Sequence, residues 1–379
     1  MIMEYRELKK LGIKTSLLGF GCMRFPQNDG KIDEAEAEKL LDKAIAEGVN
    51  YIDTAYPYHN GDSEPFTGRV LDKYPRESYY LATKLPCWSV NSVEDAERIF
   101  NDQLKRLNKE YVDFYLLHSL SVDKYRKMKE LGVVDYCAKL KEQGKIRYYG
   151  FSFHDSYEAF EEIIRDRDWD FCQIQLNYMD TDEQAGVKGY ELAKALDISV
   201  IIMEPVKGGS LAKLPDEIYA PLNAETAGLS PAAWALRWVG SFDNVKVVLS
   251  GMSDMAQVED NLRTFGDFKP LTDNEQSLVT EAADSLRKRV YNGCTGCNYC
   301  MPCPAGVNIP YNFRIWNTYG IYSNKWGTIW QWEHDIDDKQ KAKNCIGCGK
   351  CEKVCPQNIS IRDDLAALQK QMDGLRDSE

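Results

Sequence analysis

Short apolar runs alternate with amphipathic stretches over the first two thirds of the chain. The runs have the length and β-branched content of strands, and the stretches between them carry apolar residues at helical spacing. This alternation predicts repeated βα units around a parallel sheet. The eight runs are SLLGFG at 16, YIDTA at 51, YYLATK at 79, VDFYLLH at 112, YYGFSF at 148, FCQIQLN at 171, ISVIIME at 198 and VKVVLSG at 245.

Several of the intervening helices have clear start signals. DEAEAEKLLDKAIAEG and SVEDAERIFNDQLKRL are amphipathic, and Ser92 is the expected N-cap of the second. In SPAAWALRWV, Ser230 is a candidate N-cap and Pro231 suits the first helical position. The segment before it, 212–229, has the composition of a loop. A helix over TDNEQSLVTEAADSLRKR ends this part of the chain near residue 289.

Eight strands with helical crossovers predict a closed (β/α)8 TIM barrel. The alternative, an open doubly wound sheet, carries G-x-G-x-x-G after its first strand, and GFGCMRF supplies only G-x-G. We therefore expect residues 1–289 to form a barrel. Residues 290–379, where the pattern changes, are expected to form a small C-terminal α-helical domain.

Polar residues follow successive predicted strands. The carboxyl ends of the strands share one rim of such a barrel, and catalytic groups come from that rim. A lone Lys or His at a strand end is ordinarily solvated or satisfied by the core, whereas a succession of polar ends on one rim predicts a site. The residues at these ends are Asp53, Tyr58, Lys84, His118, Ser152, Gln173, Asn177 and Glu204.

Two cysteine runs follow the predicted barrel. CIGCGKCEKVCP has the spacing C-x2-C-x2-C-x3-C-P that binds a [4Fe–4S] cluster in bacterial ferredoxins, and CTGCNYCMPCP repeats it with the last gap one residue shorter. Four-cysteine zinc sites also use C-x2-C pairs. Three cysteines at successive three-residue spacing, closed by Cys-Pro, favour iron–sulfur clusters over zinc.

The pairing of the two runs follows the two-cluster ferredoxins, in which the fourth cysteine of each run ligates the other cluster. We therefore expect two [4Fe–4S] clusters. The two ligand sets are Cys294, Cys297, Cys300 with Cys355, and Cys345, Cys348, Cys351 with Cys303.

The rest of the C-terminal part reads as helical. YNFRIWNTYGIYSNKWGTIWQW, between the cysteine runs, is aromatic and compatible with helix, which resembles an α-helical ferredoxin-like arrangement more than the compact β form. The terminal DDLAALQKQMDGLRDSE is expected to be a solvated last helix and tail.

Charge and composition narrow the function further. Asp and Glu outnumber Lys and Arg by 59 to 47, and the net charge of −12 repels nucleic acid. The N-terminal MIMEYRELKK is not followed by a signal core, and we find no uninterrupted apolar run long enough to cross a membrane. We expect a cytoplasmic protein with neither a nucleic-acid nor a membrane partner. Twelve cysteines in such a chain favour thiols and metal ligands over disulfides.

The segments NYIDTAYPYHNGDSE, LATK and LLHS resemble the catalytic segments of the aldo-keto reductase superfamily, over roughly residues 5–265. The resemblance maps the catalytic Asp, Tyr, Lys and His of that family onto Asp53, Tyr58, Lys84 and His118. It implies that Tyr58 protonates the alkoxide that hydride transfer leaves, with its pKa lowered by Lys84. Asp53 would hold Lys84, and His118 would donate a hydrogen bond to the substrate oxygen.

The same resemblance implies contacts with NADH or NADPH. Relatives that prefer NADPH place a Lys and an Arg on its 2′-phosphate, where this chain has Gly251 and Gln257. Because both cations are absent, the sequence does not decide between NADH and NADPH. Arg263 is a candidate substitute for the missing cations. Met203 stands where many relatives stack an aromatic ring on the nicotinamide. The implied contacts are Ser152, Gln173, Asn177, Gly208, Gly209, Ser210 and Asn261.

These features predict an NAD(P)H-dependent oxidoreductase that interconverts a small carbonyl and an alcohol, with an iron–sulfur electron relay that serves a redox protein partner. Nicotinamide passes two electrons as hydride, whereas a cluster passes one. Electron transfer between them therefore needs a splitter, that is, a group that exchanges two electrons on one side and single electrons on the other. A bound flavin is one candidate splitter, although the sequence contains no flavin-binding motif. The alternative is an electron-transfer or redox-sensing protein whose barrel binds nicotinamide or flavin. The complete catalytic set favours an enzyme, because a sensor needs no proton donor.

Overall fold

The computed structural model describes residues 2–294 and 296–377. The chain forms two compact units. The first comprises the residues up to 208 together with 232–276, and the second comprises 209–231 and the residues from 277 onward. The predicted boundary between 289 and 290 therefore falls within the second unit. Within the described ranges, no helix combines the length and apolarity that a membrane span requires.

The first unit contains a closed barrel of eight parallel strands, as predicted, and the open-sheet alternative is wrong. Each strand pairs with the next in chain order, and the eighth pairs with the first. Short antiparallel hairpins precede the first strand and follow it. The strands are β1 (Leu18–Gly21), β2 (Tyr51–Asp53), β3 (Tyr80–Leu85), β4 (Val112–Leu120), β5 (Ile146–Phe153), β6 (Phe171–Gln175), β7 (Ser199–Met203) and β8 (Val245–Ser250).

Aromatic and branched side chains fill the interior of the barrel. The ring of Phe114 lies 4.9 Å from the rings of both Tyr51 and Phe171, and all three are buried with Ile201 and Val247. Each such side chain stabilises the fold by about 1.5–3 kcal/mol through loss of apolar surface from water. Because this layer closes the interior, the polar strand ends are left to line the rim.

The helices up to residue 287 largely follow the predicted pattern. The hydroxyl of Ser92 accepts a hydrogen bond from the Asp95 amide at 3.2 Å, which confirms it as an N-cap, and Pro231 opens its helix. The helices are α1 (Glu34–Ala46), α2 (Ser63–Leu71), α3 (Val93–Leu107), α4 (Val122–Glu130), α5 (Val133–Glu142), α6 (Tyr157–Arg165), α7 (Gly186–Ala195), α8 (Asp216–Glu225), α9 (Pro231–Gly240), α10 (Met255–Phe265) and α11 (Asp273–Arg287).

The prediction of a loop over 212–229 was wrong, because α8 occupies its centre. Pro221 argues against a helix in the sequence, since proline removes a backbone donor and crowds the preceding turn. Ile218 and Leu222, four residues apart, are nevertheless buried on one face of α8. Packing of that face therefore outweighs the local cost of the proline.

The second unit carries three further helices, α12 (Ile309–Tyr322), α13 (Lys325–His334) and α14 (Ile361–Asp377). The first two confirm the helical reading of the aromatic segment. The last helix differs from its prediction as a solvated element, because Leu365, Leu368 and Met372 are buried in one apolar core with Phe313 and Trp332. Their spacing of three and four residues forms the stripe that a packed helix presents.

Candidate active site and cysteine cavities

Two predicted site residues form a buried ion pair at the barrel rim. Asp53 ends β2, Lys84 lies near the end of β3, and the two strands pair in parallel. The ammonium of Lys84 donates to Asp53 Oδ1 at 2.5 Å and to the Thr54 carbonyl at 2.8 Å. This parallel pairing brings both side chains to one edge of the sheet, where they neutralise each other out of water.

Tyr58 and His118 complete the group. The Lys84 ammonium also donates to the Tyr58 hydroxyl at 3.3 Å. The ring of His118, near the end of β4, meets the Tyr58 ring edge-on at 6.0 Å and lies 5.1 Å from the Trp88 ring. Its Nδ1 is buried and has no hydrogen-bond partner among the residues that the structure describes. The structure thus brings the four predicted catalytic residues together.

Burial sets the protonation states of this group. It raises the pKa of Tyr58, although the Lys84 ammonium acts in the opposite direction. The sequence led us to expect a lowered pKa, and the difference arises because desolvation outweighs the neighbouring charge. Burial alone would lower the pKa of Lys84, but Asp53 and Tyr58 together raise it above its usual value. At neutral pH the site therefore holds a phenol beside an ammonium.

The imidazole of His118 is held neutral. Burial, followed by the charges of Lys84, His154 and Lys124, lowers its pKa well below the usual value. A neutral imidazole carries one N–H donor and one acceptor nitrogen. It can therefore donate a hydrogen bond to an uncharged carbonyl oxygen without adding a positive charge to the rim.

Three of the predicted dinucleotide contacts, on or after β5 and β6, differ in how freely they face a ligand. Ser152 accepts a hydrogen bond from the Ser119 amide at 2.7 Å, which leaves its own hydroxyl proton to donate. Gln173 donates to Asp53 Oδ2 at 3.2 Å and so joins the catalytic group. Asn177 is committed to the turn after β6, because its amide nitrogen donates to Asp180 at 3.0 Å and its oxygen accepts from the same turn.

The other predicted dinucleotide residues lie after β7 and β8. Gly208 and Gly209 have φ values of 63° and 97°, a backbone that disfavours side chains and leaves amide groups open to a ligand. Ser210 follows them in the chain. Asn261, on α10, is buried and donates to the Ser250 hydroxyl at 2.8 Å. Arg263, the substitute cation, instead pairs with Asp260 at 3.0 Å.

Sequence reasoning missed a cation at the rim. The aliphatic stem of Arg24, from the loop after β1, packs against Gly251, where an added Cβ would come within 2.6 Å of Arg24 Cγ. The Ser253 hydroxyl donates to the Arg24 carbonyl at 3.0 Å and fixes this loop. The sequence feature that could have revealed Arg24 is its position in GFGCMRF, directly after a barrel strand, where other predicted site residues also lie.

Sequence reasoning also missed the polar side chains that contact the backbone of Lys84. The side-chain amide of Gln103 donates to the Lys84 carbonyl at 3.0 Å and to Glu64 at 2.9 Å. Glu64 is fully buried and also accepts from Thr83 at 2.6 Å. Helical spacing marks both Gln103 and Glu64 as members of amphipathic helices, but no pattern in the sequence marks them as neighbours.

The eight clustered cysteines line two cavities within the second unit. The four cysteines of each predicted set lie at one cavity, and Cys300 lies at both. No disulfide joins cysteines in the described ranges. One cavity is lined by Cys294, Cys297, Cys300 and Cys355. The other is lined by Cys303, Cys345, Cys348, Cys351 and Cys300.

The two cysteine runs share a local backbone. Gly296 and Asn298 flank Cys297 with φ values of 71° and 63°, and Gly347 and Gly349 flank Cys348 with 69° and 68°. Glycine and asparagine tolerate this left-handed region, which side chains with a branched Cβ avoid. Each loop can therefore curl around its second cysteine.

The donors fit iron–sulfur clusters. Among residues 2–294 and 296–377, no three His, Cys, Asp or Glu side chains converge on a single-ion site. The cysteines are spread around cavities instead. Thiolates are the soft ligands that iron–sulfur clusters take.

A (β/α)8 barrel that presents a buried Asp and Lys with a half-buried Tyr and His at the carboxyl ends of its strands is a reductase scaffold. The chain belongs to the Aldo/keto reductase family, whose model matches residues 17–284. Residues 293–359 match the 4Fe-4S dicluster domain. The protein is therefore an aldo-keto reductase-type oxidoreductase with a C-terminal 4Fe-4S dicluster domain.

Known proteins with similar sequences are reductases and dehydrogenases. The NADH-specific methylglyoxal reductase of Escherichia coli is 27% identical over 74% of this chain and 96% of its own length. The L-galactose dehydrogenase of Arabidopsis thaliana is 25% identical over 73% of this chain and 92% of its own.

Solved structures share the barrel. The holo form of aldo-keto reductase AKR11C1 from Bacillus halodurans has a TM-score of 0.64 at 26% identity, over 74% of this chain and 96% of its own. An aldo-keto reductase from Klebsiella pneumoniae, solved with NADPH, has a TM-score of 0.60 at 20% identity, over 74% of this chain and 95% of its own length. At this identity the similarity is one of fold.

Proposed function

We propose that the protein interconverts a small carbonyl compound and its alcohol with NADH or NADPH, and that Tyr58 is the general acid and base. One observation carries this proposal. The Lys84 ammonium contacts both Asp53 and the Tyr58 hydroxyl, at 2.5 Å and 3.3 Å, in a site withdrawn from water. The ammonium stabilises the phenolate that forms when Tyr58 gives up its proton.

The proton chemistry follows from these contacts. Nicotinamide, when bound, supplies or accepts the hydride. The Tyr58 hydroxyl gives its proton to the oxygen of the reduced carbonyl, and the resulting phenolate is stabilised by Lys84. His118, neutral because its pKa is lowered by burial, donates a hydrogen bond to that oxygen. Alcohol oxidation reverses each step, with the phenolate as base.

We also propose the dinucleotide contacts that the sequence implied. Ser152 and Gln173 would orient the carboxamide, with Asn177 shaping the turn beside them. Gly208, Gly209 and Ser210 would offer amide groups to the pyrophosphate, and Asn261 would meet the adenine. Arg24, whose stem packs against Gly251, would add the cation that a phosphate group prefers.

For the C-terminal part, we propose that the eight cysteines hold two [4Fe–4S] clusters, in the two sets that line the cavities. Residues 1–289 would then be the catalytic part and 290–379 the cluster-binding part. A cluster, when bound, passes single electrons. This function suits a relay to a protein partner, and coupling to the hydride step would require a flavin or another splitter.

The test replaces Tyr58 by Phe in anaerobically reconstituted protein. NADH and NADPH oxidation is followed with methylglyoxal and other small aldehydes and ketones. Loss of the acid should lower kcat by about 10²–10⁴-fold, while dinucleotide binding, followed by fluorescence, stays within about twofold. Wild-type protein that binds the dinucleotide and turns over none of the carbonyls would contradict the proposal and favour a redox sensor.

A second measurement addresses the coupling. Reconstituted protein is mixed with NADH, without added flavin, and the visible absorbance of the clusters is followed by stopped flow. Bleaching at the rate of turnover would indicate that the clusters exchange electrons with the dinucleotide and would require a bound splitter. Unchanged absorbance during carbonyl reduction would show that the clusters are not coupled to the hydride step and are either structural or serve a protein partner.

A further inference from the structure

Three exposed apolar side chains lie at the mouth of one cysteine cavity. Tyr299 is 69%, Ile346 69% and Val354 52% exposed, and all three line the cavity that contains Cys345 and Cys351. Single exposed apolar residues are common on protein surfaces, whereas a group around one feature marks a contact surface. This group surrounds a proposed redox site.

The two cavities differ in this respect. The cavity that contains Cys294 and Cys355 takes its apolar lining from Ile309, Phe313 and Ile361, which are buried in the core of the unit. The other cavity is also lined by the buried Ile309 and Leu365, but in addition it has Tyr299, Ile346 and Val354 at the surface. A protein partner can therefore cover the second cavity with apolar contacts.

Basic residues accompany this surface. Lys350 and Arg362 line the same cavity, and Lys343 and Lys370 line the adjoining one beside Cys345. Carboxylates lie beside several of these cations. Arg362 pairs with Glu352 at 2.8 Å, Lys343 pairs with Asp338 at 2.6 Å, and Asp373 lines the adjoining cavity. Asp363 also acts on Arg362, so these four cations meet four carboxylates. The segment 339–355, which carries Ile346, Lys350 and Val354, nevertheless contains five lysines and one glutamate, in a chain whose net charge is −12.

We propose that the surface formed by Tyr299, Ile346, Lys350 and Val354, here called the cluster patch, docks an acidic one-electron carrier protein of the flavodoxin type. The inference rests on the proposed cluster at Cys303, Cys345, Cys348 and Cys351. One electron passes between the docked carrier and that cluster, so one is oxidised and the other reduced, and no bond is made or broken.

The composition of the cluster patch fits a transient complex. Apolar side chains with basic residues beside them give a short-lived interface its contact area and its orientation. Opposite charge on the carrier raises the association rate, and salt weakens it. A carrier with a basic surface would be repelled by the same cations.

The experiment uses the full chain with reconstituted clusters and a purified flavodoxin of strongly negative net charge as the probe. Binding is measured at low ionic strength by the fluorescence anisotropy of a dye on the flavodoxin. We expect Ile346→Asp and Lys350→Glu each to raise Kd at least tenfold. The matched control is Trp326→Asp, which places the same charge on a side chain that is 77% exposed and outside the cluster patch.

Several readouts separate this inference from its alternatives. Visible absorbance verifies that each variant keeps its clusters, so a loss of clusters is recognised as a failure of the proposed ligand sets. Tyr58→Phe should bind the probe like the wild type, because docking does not use the barrel chemistry. Equal Kd values for the wild type, Ile346→Asp and Lys350→Glu, or an equal loss in Trp326→Asp, would overturn the inference. Tighter binding of cytochrome c, a basic carrier, would overturn it as well.

Discussion

The side-chain amide of Gln103 donates a hydrogen bond to the backbone carbonyl of Lys84 at 3.0 Å. Gln103 lies on α3, and its amide also reaches Glu64, on α2. The strand end that carries Lys84 is thereby tied to two helices. This contact lies beneath the ion pair and is independent of any ligand.

We expect Gln103→Leu to impair both stability and catalysis. The change removes one donor from the Lys84 carbonyl and one from Glu64, and it leaves the buried Tyr115 hydroxyl without its acceptor. One such unsatisfied buried group costs about 1–3 kcal/mol. Urea unfolding should reveal this loss, and kcat should fall while KM changes little. Gln143→Leu, at an exposed position after α5, is the matched control. An equal effect of both changes would contradict the role of this contact.

The ion pair makes a second prediction. Lys84→Met should lower the free energy of unfolding by about 3–5 kcal/mol, because it leaves a buried carboxylate on Asp53 unpaired. It should also abolish measurable reduction. Adding Asp53→Asn should restore much of the stability without restoring activity, since the phenol still lacks its ammonium. Recovery of turnover in the double variant would argue against a catalytic role for Lys84.

The pH dependence of stability tests the state of His118. Its pKa is lowered on folding, so the unfolded chain takes up the proton first as the pH falls. Stability should therefore be fully present above about pH 6.5 and decline below it, by at most about 1.4 kcal/mol per pH unit for this residue.

His118→Gln should reduce that decline, as measured by urea unfolding between pH 7.5 and 5. A remainder is expected, because burial also lowers the pKa values of His59 and His154. His334→Gln, at an exposed position on α13, serves as the control. An unchanged slope in His118→Gln would contradict a buried neutral imidazole.

The cysteine sets predict iron content. Cys355→Ser removes a ligand of one proposed cluster only, so iron should fall from about eight to about four atoms per chain. Cys303→Ser should have the same effect on the other cluster. Cys172→Ser, in the buried part of β6, should leave iron unchanged. Retention of about eight atoms in Cys355→Ser would contradict its assignment as a ligand.

Most of the fold was predictable because its patterns are local. Each barrel strand is a short apolar run between helices with their own caps, as Ser92 illustrates for α3. The errors came where packing opposed local signals. Pro221 did not prevent α8, and the charged surface of α14 concealed the stripe of Leu365, Leu368 and Met372.

The sequence by itself determined the barrel, the two cysteine runs and the candidates Asp53, Tyr58, Lys84 and His118, because residue type and spacing along one strand or loop carry that information. Only the tertiary structure decided which side chains meet. In the folded chain Gln173 donates a hydrogen bond to Asp53, and the stem of Arg24 packs against Gly251. Ile346 and its exposed neighbours line one cysteine cavity. It also reversed the expected shift in the pKa of Tyr58, since the loss of water around a group depends on everything packed against it.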